Sequence, residues 1–490
     1  MSFVSGCRMD THQSTKLFHL FAYLCLGLIC ANQPLSAQTA DQEPVISGSR
    51  LLTPGSYGLE IPTAKIEPTD LELVETQDDS NQQVVAKVHV KVGDNYVVML
   101  PDGRLVGRMA DQVKPTDQPF KAASHRDIGN ELKQQLSNQF SGFRFEKSKH
   151  YVYVYNASGE FKNATKRILE TMYNGVKAYA NNMGVETHHA DVPLVVIMFR
   201  TRREFDAYRS MHPSIMAYYE IASNHIVLCQ ESPLADSRPD LAIGQLLSTI
   251  AHEGAHQILH NIGVQQRLSV WPIWLSEGLA EFFAPTSFGN RNRWKGAGDV
   301  NDLRMFELET FLQTQFIKGF DGSTIQDFVV APTLDSTGYA GAWGMVHYLA
   351  DQKRKAFHSY VQQMSKLGPL KGMVARPEQP VVANLEHFQA MFGGEKSMLE
   401  LENDMVKYLS KLDYDSPVGS FVHYVGMARV PTESGEKKYA CFFANEKKVE
   451  DWKNVLLETL SPQQLQAAKW EVSKTRNRAA ANSLISKFLK

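Results

Sequence analysis

The chain has 490 residues, with 51 Lys+Arg against 53 Asp+Glu and a formal charge of −2. Hydrophobic residues make up 43% and charged residues 21%, an ordinary balance for folded domains that excludes wholesale disorder, a disulfide-dense miniprotein and a collagen-like fibre. Near-neutrality also argues against a protein built to neutralise nucleic-acid phosphates or an acidic membrane surface, so no nucleic-acid partner is expected.

At the N-terminus, Lys16 precedes the apolar run Leu17–Ala31, which is followed by Leu35-Ser36-Ala37. A short cationic region, an apolar core and a small-residue site read as a signal peptide over residues 1–37, implying export to the periplasm or the extracellular space. The run is too short to span a bilayer, which takes about 20 residues, and no later stretch is long enough, so no stable membrane anchor is expected in the mature chain. Cleavage would leave Cys229 and Cys441. These are either one disulfide or two buried thiols.

Residues 38–50 are polar and read as a flexible leader. Over 51–120, Val84–Val92 alternates, Gly93-Asp94-Asn95 turns, Tyr96–Leu100 continues and Pro101-Asp102-Gly103 turns again. Alternating runs split by such turns predict hairpins, here a small SH3-like β-barrel with a possible protein partner. A second unit, 143–300, opens with a strand at Tyr151–Tyr155. A helix follows on the spacing of Phe161, Ile168, Met172, Val176, Tyr179 and Met183. Leu194–Phe199 reads as a buried strand, Arg202–Tyr208 as a short helix, and Ala217–Ala222 with His225–Leu228 as a hairpin before a long helix reaching residue 262. Residues 301–412 read as a helical subdomain, and 415–490 as a small α/β appendage whose strand spans Phe421–Val430. The expected class is α+β.

The densest chemistry lies in His252-Glu253-Gly254-Ala255-His256, inside an apolar helix. At 3.6 residues per turn the two histidines stand one turn apart on one face, within reach of a single metal ion, with Glu253 beside them as a carboxylate able to take a proton from water. The plainer alternative is a core helix with two satisfied histidines. Catalytic zinc takes three protein ligands and keeps a fourth position open. Glu277, 21 residues after His256 in Trp274-Leu-Ser-Glu277-Gly-Leu-Ala-Glu281-Phe-Phe, has enough chain to return alongside. Gly278 would let the two helices approach. Glu281, one turn on, either orients a ligand histidine from behind or is a solvated surface carboxylate. His260 is eight residues from His252, about 12 Å along the axis, too far to share the ion.

These two motifs together resemble the gluzincin zinc metallopeptidases, the thermolysin and zinc-aminopeptidase class. Residues 143–300 also resemble a family of secreted bacterial proteins of unknown function carrying the same motifs. The resemblance implies a gluzincin-like catalytic unit of mixed sheet and zinc-binding helices. It also implies one Zn2+ per chain on His252, His256 and Glu277, with Glu253 as general base and Glu281 as the outer acid. The class's oxyanion-stabilising tyrosine matches Tyr339, whose alternative is a packed tyrosine at a helix start. The aminopeptidase segment that captures a free N-terminus is absent. If His225–Leu228 were the sheet edge beside the cleft, an extended peptide could pair with it.

The expected function is thus a secreted zinc endopeptidase acting on peptide or protein substrates. The alternative is an exported zinc-binding recognition or scaffold protein of the same fold with little or no protease activity.

Overall fold

The computed structural model describes residues 46–47, 50–51, 54–62, 64–236, 238–287, 292–371, 380–393 and 397–490. The expected signal peptide, and most of the expected leader, lie outside them. The architecture is mixed α+β.

The first unit is antiparallel: β1 (Ile66–Glu67), β2 (Leu73–Gln77), β3 (Gln83–Val92), β4 (Asn95–Met99), β5 (Leu105–Met109) and β6 (Lys114–Pro115). Its order is β5-β4-β3-β2-β6, with β1 on β3. Gly93 and Gly103 sit at φ +56° and +92°, which is why those turns fall where glycine stands. A bulge between Val88 and Val90 bends β3.

The central unit adds α1 (His125–Ser137), β7 (Arg144–Lys147), β8 (Tyr151–Tyr155), α2 (Gly159–Asn182), β9 (Leu194–Phe199), α3 (Arg202–Tyr208), β10 (Ala217–Glu220) and β11 (His225–Cys229). The sheet order is β10-β11-β9-β8-β7, with β8, β9 and β11 parallel. Both faces are covered. Tyr151, Val196 and Ile226 join the core under α2, while Val152, Ile197, Phe199 and Val227 pack with Ile128 of α1 and Phe205 of α3. That double burial explains the unbroken apolar run of β9, since no face needs polar residues. Ser158 caps α2 by accepting from the Phe161 N–H.

The sheet edge is β10, not the His225–Leu228 strand, which lies between β10 and β9. Helix α1 and strand β7 went unread because their patterns are polar on the solvent side.

Helix α4 (Pro239–Asn261) then packs against β10 and β11, and α5 (Ile273–Phe283) packs against α4; the short pair β12 (Thr286–Ser287) and β13 (Arg293–Trp294) follows. Next come α6 (Asp302–Lys318), α7 (Ser323–Val330), α8 (Ser336–Gln352), α9 (Arg354–Ser365), α10 (Pro380–Phe388) and α11 (Met398–Leu409). A three-stranded sheet, β14 (His423–Thr432), β15 (Gly435–Phe443) and β16 (Lys469–Thr475), ends the chain with α12 (Glu446–Glu458), α13 (Pro462–Ala467) and α14 (Arg478–Leu489). Its centre is β14; α12 covers one face and α14 the other.

Cys229 and Cys441 are both free and buried, one in β11 and one in β15. Burial pushes the Cys229 thiol up to about 12. Among the described residues no helix is long and apolar enough to cross a membrane.

Candidate metal centre

Helix α4 is sheathed on every side near its C-terminal half, so its polar side chains there are buried: His252, Glu253, His256, Gln257 and His260. Gly254 makes one approach possible, because a Cβ there would stand 2.3 Å from Leu169 of α2. Gly278 serves a different neighbour from the one expected. A Cβ on it would stand 2.6 Å from the carbonyl oxygen of Ala342, so it seats α5 against α8 rather than against α4.

This packing brings three ligand atoms together. The Nε2 atoms of His252 and His256 are 3.1 Å apart. Each lies 3.3 Å from Oε2 of Glu277. Ligands about 2.0–2.1 Å from a tetrahedral ion stand about 3.3 Å from one another, so the triangle has the size such an ion requires. His252, His256 and Glu277 can therefore hold one metal ion. His260 is outside this group; its ring stacks on Tyr219 at 5.6 Å, and burial holds its pKa down at about 3.

The remaining carboxylates are placed differently. Glu253 is buried, with Oε2 accepting the backbone N–H of Tyr219 at 2.8 Å. Its Oε1 has no hydrogen-bond partner among the described residues. Burial raises its pKa, with the two histidines pulling the other way. Glu281 is only 2% exposed, so the surface alternative is discarded. Its Oε1 lies 3.1 Å from His252 Nδ1, on the ring nitrogen opposite the triangle. Burial opposes ionisation of Glu277 and Glu281, but facing cations prevail. His256 and His252 bring Glu277 down to about 2, and Arg304 and His252 hold Glu281 lower still. His252 rises to about 10 despite its burial, because Glu281 and Glu277 face it. Two carboxylates thus face the His252 ring, Glu277 at Nε2 and Glu281 at Nδ1.

Tyr339 is buried in the first turn of α8, its ring 6.3 Å from the His252 ring. Arg304 lies across that ring, 5.1 Å from its centroid. Three participants went unread in the sequence: Asn301 and Arg304, which bind Glu281, and the backbone of Tyr219. A signal existed for Arg304. A cation in the first turn of a helix is badly placed against the helix dipole unless something local compensates it.

No curated protein matches the chain. Residues 246–371, which carry His252, His256, Glu277, Arg304 and Tyr339, are similar to a family described as "Protein of unknown function (DUF1570)".

Proposed function

We propose that the chain is an exported, zinc-dependent peptidase of gluzincin type. The observation that carries the reading is the triangle of His252, His256 and Glu277 at tetrahedral spacing, with buried Glu253 beside it. A bound zinc ion would supply the Lewis acid, acidifying water and polarising a carbonyl. Glu253 does the proton work. Its Oε1 takes the proton of the attacking water and passes it to the leaving amine, while the Tyr219 N–H fixes Oε2. The raised pKa suits a group that must hold a proton between those steps. Tyr339 would donate to the oxyanion, a contact worth a few kcal/mol in comparable sites.

With β10 as the edge beside Glu253, an extended peptide would add to Ala217–Glu220. That mode suits internal peptide bonds and favours an endopeptidase. The first unit is read as an SH3-like barrel able to engage a protein partner, and residues 1–37 as the export signal.

The deciding assay compares the mature chain with its Glu253→Gln variant for zinc content and for cleavage of an unstructured protein. Zinc in both with cleavage confined to wild type is expected. Cleavage by the variant would remove Glu253 as base; zinc without cleavage in either would favour the scaffold alternative. Absence of zinc from both would sink the site assignment.

A further inference from the structure

Behind the triangle stands a buried cation that the reaction scheme does not use. Arg304, only 3% exposed, donates from Nη2 to Glu281 Oε1 at 2.6 Å and from Nη1 to Glu307 Oε2 at 2.9 Å. The same Glu281 Oε1 is in ion-pair contact with His252 Nδ1 at 3.1 Å. Asn301 Nδ2 donates to the other oxygen at 2.8 Å. On the far side, the Ser336 hydroxyl donates to Glu307 Oε1 at 2.7 Å, tying the network to the first turn of α8. The guanidinium face completes the arrangement by covering the Tyr339 ring.

We infer that Arg304 is a positioning residue that sets two things together: the orientation of His252, through Glu281, and the placement of Tyr339, through Glu307 and ring stacking. This rests on the peptidase reading above. Stability alone is a weak reason for such a group, because a buried ion pair is often no better than apolar residues of similar volume. Geometry is a stronger one. A planar fork can engage two carboxylates while its face lies on an aromatic ring; an ammonium group cannot do all three. Since one oxygen of Glu281 faces both His252 and Arg304, any displacement of the guanidinium moves the carboxylate oxygen that stands against His252 Nδ1.

The test uses the mature chain and three variants: Arg304→Lys, Arg304→Met, and Arg304→Met combined with Glu281→Gln. The double variant removes both charges, so one folded variant remains if an unpaired Glu281 unfolds the single change. Zinc affinity is read by chelator competition, and ligand geometry by the visible spectrum of the cobalt-loaded protein. Arg304→Lys is expected to bind zinc about 10–100-fold more weakly, the usual cost of losing an outer partner. Its cobalt spectrum should shift, and its kcat should fall more than its KM changes. The double variant should recover stability without recovering the wild-type spectrum. Arg478→Met, which breaks a half-buried pair between α14 and Glu309 of α6, should leave zinc affinity and spectrum alone. Wild-type affinity and spectrum in any folded Arg304 variant would overturn the inference and leave the peptidase reading standing. A wild-type chain that takes up no metal would bring down both.

Discussion

At the scale of single residues, burial outweighs local charge at two histidines outside the His252, His256 and Glu277 triangle, His225 and His260. His225 is buried in β11, and desolvation holds its pKa at about 4, although Glu220 opposite it pulls upward. His260 is held lower, at about 3. Both are therefore neutral in the folded chain where an unfolded histidine would already carry a proton. Between pH 6.5 and about 4 the unfolded state binds more protons, so stability must fall as pH drops through that window. For His225 the full effect is up to about 3 kcal/mol, from some 2.5 pKa units. Urea unfolding at pH 7 and pH 4.5 should show the loss, and His225→Gln should flatten the slope. An unchanged slope would show that His225 reaches solvent in the fold.

At the scale of elements, the site depends on how closely α5 and α8 approach. Gly278 sits beside Glu277 and against the Ala342 carbonyl oxygen, a backbone atom that cannot swing aside. Adding one methyl group there should push α5 away from α8 and cost about 1–3 kcal/mol, the usual penalty for overpacking. Gly278→Ala should therefore lower the denaturation midpoint and weaken metal uptake together. A variant that lost stability while keeping full zinc affinity would show that Glu277 tolerates a shifted helix. Much at this scale was legible in sequence. The spacing of His252 and His256, the buried run of β9 and the hairpin turns at Gly93 and Gly103 all follow from local periodicity and backbone preference. Strands β15 and β16 were not legible, because each is an edge of a small sheet: β16 carries mostly polar residues, and β15 opens with Glu436, Lys437 and Lys438 before its apolar end.

At the scale of the whole molecule, the first β unit is joined to the unit that carries the His252, His256 and Glu277 cluster through the loop between α4 and α5. Arg267 in that loop donates to the carbonyls of Gly103, Ile221 and Ala222. The ring of His89 in β3 donates from Nε2 to the Arg267 carbonyl at 2.7 Å, since a carbonyl can only accept. Leu268 and Leu370 pack with Val90, Val97 and Leu105 in one cluster. Both leucines adopt positive φ, +67° and +56°, a conformation that costs a branched residue about 1 kcal/mol or more and persists where surroundings enforce it. Arg267→Met would leave the Gly103 and Ile221 carbonyls without their donor, while Ala222 keeps the Leu105 N–H, and should cost at least about 2 kcal/mol of unfolding free energy. A cost under about 1 kcal/mol would mean that the apolar cluster alone holds the units together.

The sequence by itself determined the elements with a strong local pattern, among them α2, β9 and α4, and the shared face of His252 and His256, because helical period, turn glycines and apolar runs are short-range properties. It also picked out Glu277, since an acidic residue inside an apolar helix has few reasons to be there. Only the tertiary structure decided that β10 is the sheet edge, that Gly278 faces α8, that Cys229 and Cys441 stay apart, and that Arg304 stands behind Glu281. Each of these depends on which distant segments pack together. Contacts between residues far apart in the chain are selected by the burial and pairing of the whole fold, and no local pattern encodes them.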